Sequence, residues 1–120
     1  MTTGNTYVTI RPVLEIRYYL APDGRSPFEG WFSSLDPTAR AKVTVAIARL
    51  EQGNLSNVKG VGEGVLEYRI HFGPGYRVYF GRDGNELVIL LTGGTKKRQQ
   101  RDIEAAIELW ADYRRRRHPR

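Results

Sequence analysis

The sequence predicts an α+β domain with the element order β-α-α-β-β-β-α: a small, mostly antiparallel sheet with helices packed on one face. Three observations predict it. Two stretches with helix-start signals precede a run of three strand-like segments, and an amphipathic stretch follows them. Those segments are separated by Gly- and Pro-rich turns, which join antiparallel neighbours. A length of 120 residues, 40% hydrophobic and 27% charged, suits one globular domain rather than a disordered chain. The domain is expected to span residues 1–113, with 114–120 as a basic tail that frays for lack of packing.

The elements follow in order. In residues 13–20, Leu14, Ile16, Tyr18 and Leu20 alternate onto one face of a strand. Ser26-Pro27-Phe28-Glu29 places an N-cap serine, a first-turn proline and a capping-box glutamate at a helix start. Its apolar side is Phe28, Trp31, Phe32 and Leu35. Asp36-Pro37 opens a second helix, with Val43, Ile47 and Leu50 on one side and Gly53 at its stop. Residues 54–64 read as a loop. Leu66, Tyr68, Ile70 and Phe72 then share one face of a strand, and Glu67, Arg69 and His71 the other. A three-residue loop, Gly73-Pro74-Gly75, keeps the apolar faces together. It pairs Phe72 with Tyr76 and Ile70 with Val78, which sets His71 opposite Arg77 and Arg69 opposite Tyr79. Asp83-Gly84 signals a two-residue hairpin, and ELVILLTG, apolar on both faces, marks the most buried strand. Gly93-Gly94 is expected to let the chain leave it. The last helix starts near Arg98 and turns Ile103, Ala106, Ile107, Trp110 and Tyr113 inward.

Composition excludes several chemistries. With no cysteine, disulfides, zinc ribbons, iron–sulfur clusters and thiol catalysis are ruled out, and two histidines are too few for a multi-histidine metal site. No metal and no cofactor are therefore expected. The N-terminus lacks a signal-peptide pattern and no apolar run approaches membrane-spanning length, so a cytoplasmic protein without membrane association is expected. Gly60, Gly62 and Gly64 precede a strand rather than a helix and so provide no phosphate-binding helix start. The net charge is +6, and residues 94–120 carry nine bases against four acids. A one-sided basic region attracts phosphate backbones or acidic proteins.

One sheet face collects Arg69, His71, Arg77 and Tyr79. Helices on the other face would leave it open, with Lys59 and Lys96-Lys97 at its rim. Guanidinium groups bind phosphate bidentately, and Tyr and His stack on bases or move protons.

The run from Asn57 to Asp102 resembles the RelE/ParE toxin superfamily, and most closely its HigB-like addiction module killer protein branch, related to phage Gp49-like proteins. The likeness rests on Glu67-Tyr68-Arg69-Ile70, on Gly73-Pro74-Gly75-Tyr76-Arg77-Val78-Tyr79-Phe80, and on Leu91-Thr92-Gly93-Gly94 followed by Lys96 and Gln99-Gln100-Arg101-Asp102. The resemblance implies a RelE-like fold and the toxin of a type II toxin–antitoxin system. It implies a ribosome-dependent mRNA endoribonuclease that needs no metal, the ribose 2′-OH attacking the adjacent phosphate. It places Arg77 at the family's phosphate-stabilising arginine, Arg69 at a second basic strand position and Lys96 at the basic residue after the last strand. Lys59, Lys97, Arg98 and Arg101 are the expected RNA-binding residues. The Tyr or His that RelE-type enzymes carry near the C-terminus is absent from Arg98–Ile103; His71 and Tyr79 are the candidates to substitute. Implied partners are mRNA, the ribosome and a cognate antitoxin of helix-turn-helix type, with which the chain would form an oligomer. Two alternatives share this sequence: a non-enzymatic, ParE-like inhibitor of DNA gyrase, and a non-toxic nucleic-acid-binding module.

Overall fold

The computed structural model describes residues 13–117. The chain runs through β1 (Glu15–Tyr18), α1 (Pro27–Ser34), α2 (Pro37–Glu51), β2 (Val58–Gly62), β3 (Val65–Ile70), β4 (Tyr76–Asp83), β5 (Leu87–Thr95) and α3 (Gln99–Arg117). One turn of 3₁₀ helix, Lys96–Arg98, leads into α3. The strands form one sheet in the order β1-β5-β4-β3-β2. β1 runs parallel to β5, and the other neighbours are antiparallel. The class is α+β, as the sequence predicts.

Both short-range helix signals are realised. The Ser26 hydroxyl accepts the Glu29 amide at 3.0 Å, and the Asp36 carboxylate accepts the Ala39 amide at 2.9 Å, which satisfies an exposed first-turn donor in each helix. Phe28 of α1 and Val43, Ala46 and Leu50 of α2 pack on one sheet face against Tyr68, Val78, Phe80, Val88 and Leu90. The opposite face was expected to stand open. It carries α3 instead, with Ala106 and Trp110 against Tyr19, Val65, Tyr79, Ile89 and Leu91. The reason lies in β5: a strand apolar on both sides needs cover on both.

Several local expectations are corrected. Residues 58–62, read as part of a loop, form the edge strand β2; Glu63-Gly64 turns it back onto β3 with positive φ at both residues (53° and 85°), as a tight hairpin turn requires. β1 covers only 15–18 of the expected 13–20. Leu14 is buried on the α1–α2 side, but Tyr18 and Leu20 are exposed while Tyr19 is buried against α3. The β3–β4 register is two residues from the expected one. Ile70 pairs with Tyr76, Arg69 with Arg77 and Glu67 with Tyr79, while His71 falls beyond the strand. A shift of two keeps every side chain on its face, so the hydrophobic pattern cannot distinguish the two registers. The β4–β5 loop has three residues, with Asp83 paired to Leu87.

Gly93 and Gly94 do not end β5; they lie inside it. A Cβ at Gly93 would enter the Trp31 ring, and at Gly81 it would come within 2.5 Å of the Trp110 ring. Glycines in these strands are seats for bulky groups from the helices. α3 continues through Arg117, where an unpacked tail was expected from residue 114. Arg116 donates to the Leu20 carbonyl and the Asp112 carboxylate, and Arg117 to Asp83 at 2.9 Å. These tethers hold the last turn to the sheet's end. Residues 118–120 of the basic tail, and the first twelve residues, lie outside the described part.

Candidate nucleic-acid interface

The α3-facing side of the sheet carries two polar rows. Across the strands, Lys59 pairs with Glu67, Glu67 with Tyr79 and Tyr79 with Thr92. One step along, Arg69 pairs with Arg77 and Arg77 with Gly94. Period-two alternation brings Glu67, Arg69, Arg77 and Tyr79 to the same face. α3 begins above them and adds Gln99 and Asp102.

Glu67 is the centre. It is fully buried, yet its carboxylate accepts Arg69 Nε at 2.9 Å and Gln99 Nε2 at 2.9 Å, and Arg77 Nε stands 3.9 Å away. Burial by itself pushes the Glu67 carboxyl up; the hydrogen bonds from Arg69 and Gln99 outweigh it, and the group lies below its ordinary value. An ionised, saturated carboxylate is a poor proton acceptor. Its physical effect is to orient two guanidinium groups.

Those guanidiniums differ in access. The Arg69 side chain keeps a third of its surface, and Nε is the donor that holds it to Glu67. Arg77 is 7% exposed; its Nη1 donates to the Gly75 carbonyl at 3.0 Å, and its Nε has no hydrogen bond. The Gly75 carbonyl also accepts the Lys96 amide at 2.8 Å, which brings the exposed Lys96 beside Arg77. Gly75 has a positive φ of 79°, and a Cβ there would stand 3.0 Å from Arg77 Nη1, so the turn admits glycine on both grounds.

Tyr79, expected on an open face, is fully buried beneath α3. Its hydroxyl makes no hydrogen bond of normal geometry among the described residues. Burial, then the charges of Glu67 and Asp102, raise its pKa against the opposing Arg77 charge, which keeps the phenol protonated. Asp102 sits over Gly94, where a Cβ would collide with its carboxylate. Burial raises the Asp102 pKa, and the Arg98 and Arg101 charges pull against it.

The remaining predicted residues form an exposed rim. His71, Lys59 and Arg69 line one cavity of 230 Å³ with Ser56, Asn57 and Val58. Lys97, Arg98 and Arg101 are exposed where the chain enters α3. The structure thus brings Arg69, Arg77, Tyr79 and Lys96 together, and sets His71 at the margin rather than opposite Arg77. Glu67, Gln99 and Asp102 were not anticipated. The first was legible in principle: an acid inside an otherwise apolar strand, two residues from an arginine on its own face, is a buried ion pair in waiting. Among the described residues no group of three or more His, Asp or Glu stands together as a metal site, and no helix is long and apolar enough to cross a membrane.

Residues 30–111, which hold every residue of the polar cluster, match the model of the family described as "Phage derived protein Gp49-like (DUF891)". An uncharacterised protein of Haemophilus influenzae is 45% identical over 80 residues, covering 66% of this chain and 81% of that protein. A family match across most of the folded domain, together with a relative of this identity, shows that the chain belongs to the phage-derived Gp49-like family.

Proposed function

We propose that the protein is the toxin of a type II toxin–antitoxin pair, of the HigB-like branch, and that it cuts translated mRNA on the ribosome. The observation that carries this reading is the pair Arg69 and Arg77 set on one buried carboxylate, with Lys96 beside them and an exposed cationic rim around them. Ordered cations are what a phosphate needs when charge builds on it during transfer, and the fixed Glu67 spares their reorganisation.

In the proposed reaction the ribose 2′-oxygen bonds to the adjacent phosphorus and the bond to the 5′-oxygen breaks. The electron pair leaves with that oxygen. A base takes the 2′ proton and an acid supplies one to the 5′-oxygen, giving a 2′,3′-cyclic phosphate and a 5′-hydroxyl. Arg69, Arg77 and Lys96 neutralise the phosphorane. His71, exposed on the same margin, is the residue for proton transfer. Tyr79 supports the cluster from beneath. Lys59, Lys97, Arg98 and Arg101 hold the flanking strand. A helix-turn-helix antitoxin neutralises the protein in the cytoplasm, where translation supplies its substrate.

Induced expression in bacteria, primer extension on abundant messages and a parallel supercoiling assay of gyrase test this. Cuts confined to translated messages, lost with Arg77→Ala and with the exposed Lys96→Ala, are expected. Intact messages with lost supercoiling activity would replace this reading with the ParE-like gyrase inhibitor.

A further inference from the structure

A second cationic cavity lies around the edge of β3, on the side of α2. It has a volume of 280 Å³ and is lined by Lys42, Arg49, Asn57, Arg69, His71 and Phe72 among others, none of them acidic. It exists because β2 begins only at Val58: the Asn57 carbonyl takes the Arg69 amide at 3.0 Å, and beyond that point the β3 edge is left to α2. Lys42, Val45, Ala46 and Arg49 recur at three-, four- and seven-residue spacing, so they share one side of α2. Lys42 and Arg49 are exposed and make no ion pair among the described residues. Lys42 Nζ stands 5.0 Å over the Phe72 ring, and Phe72 stacks on Tyr76.

We propose that this cavity binds a nucleotide of single-stranded RNA, its phosphate held by Lys42, Arg49 and Arg69. The inference takes from the proposed function only the class of ligand. Unpaired cations beside a side-chain amide are a surface that tracks a single strand: charge for the backbone and hydrogen bonds for a base. Arg69 lines both this cavity and the one that holds Lys59. A strand with a phosphate on Arg69 therefore passes from one cavity to the other. This sets the strand's path around the sheet edge at Arg69.

The test is fluorescence anisotropy with a labelled single-stranded RNA whose 2′-hydroxyls are methylated, so that binding is read without cleavage. The K42Q/R49Q variant is expected to bind roughly tenfold more weakly and to lower the salt slope by about 0.7, the share of one phosphate on a single strand. V45E, which puts a carboxylate between the two cations at an exposed position, is expected to weaken binding similarly. R17Q/R25Q removes the same charge at exposed sites outside the cavity and is expected to leave affinity within about twofold. An equal loss in R17Q/R25Q would reduce the effect to net charge and overturn the proposal. So would unchanged RNA affinity in K42Q/R49Q and V45E, including the case where both lose antitoxin binding, which would make the cavity a seat for an acidic peptide. Wild-type protein that binds the methylated strand here but never cuts translated mRNA would refute the nuclease reading and leave this one standing.

Discussion

Glu67 and Arg77 face each other at 3.9 Å across a space almost closed to solvent, the carboxylate fully buried and the arginine side chain 8% exposed. Neither charge has water to fall back on. Removing one partner from a buried pair strands the other, at about 3–5 kcal/mol. Glu67→Ala is therefore expected to lower stability by about that much in urea denaturation. Glu67→Gln, which keeps an acceptor for Arg69 or Gln99, is expected to cost less. Equal stability of Glu67→Ala and wild type would show that the buried pair across β3 and β4 does not help hold the fold.

The same carboxylate gives the fold an acid limit. Glu67 lies below its ordinary 4.5 when folded, so the unfolded chain binds the proton first as pH falls. Its contribution is complete above pH 4.5 and is lost as pH drops through the folded value. Asp102 acts in the opposite sense: its pKa is raised from 3.8, and ionising it as pH climbs through that interval works against the folded state. Urea midpoints measured across acid pH are expected to fall more gently in Glu67→Gln than in wild type, and more steeply in Asp102→Asn.

Gly94 and Asp102 share one volume. Gly94→Ala is expected to destabilise by about 1–3 kcal/mol, the usual range for overpacking a closed site. Asp102→Ala empties the space the new methyl needs. The double variant is then expected to lose less than the two single losses together, a coupling that a double-mutant cycle on thermal or urea data reads directly.

His71 is exposed and outside the ladder, so its replacement tests chemistry apart from folding. His71→Gln is expected to keep the wild-type Tm and to slow cleavage of translated mRNA by roughly 10²–10⁴-fold, the scale of a lost proton-transfer group. An unchanged rate would move proton transfer to another residue and leave His71 as part of the RNA rim.

Much of the fold was legible because its signals are local. Ser26 and Asp36 cap the helices they were expected to cap, and the α3 stripe from Ile103 to Tyr113 is the one that docks. What escaped depended on contacts distant in sequence. β2 was hidden because glycines at 60 and 62 depress strand propensity, while pairing with β3 overrides it. His71 was placed opposite Arg77 because a two-residue slip leaves the pattern of faces unchanged. The candidate site was half visible. Arg69 and Arg77 stand out as cations on one face, but the acid beneath them and the glutamine from α3 are joined only by tertiary folding. Tyr79 was assigned to solvent because nothing in β4 itself announces the helix that covers it.

The chain has two tryptophans, and the glycines of the sheet receive one on each side: Trp31 lies on Gly93, and Trp110 on Gly81, beside Gly64 of the β2–β3 turn. Each layer thus contains its own intrinsic fluorophore. Trp110→Phe leaves an indole that reports only the α1 side, and Trp31→Phe one that reports only the α3 side. Emission from the two variants can date the loosening of either layer separately. It can show whether a strand of RNA or an antitoxin tightens one side of the sheet while the other stays as it was.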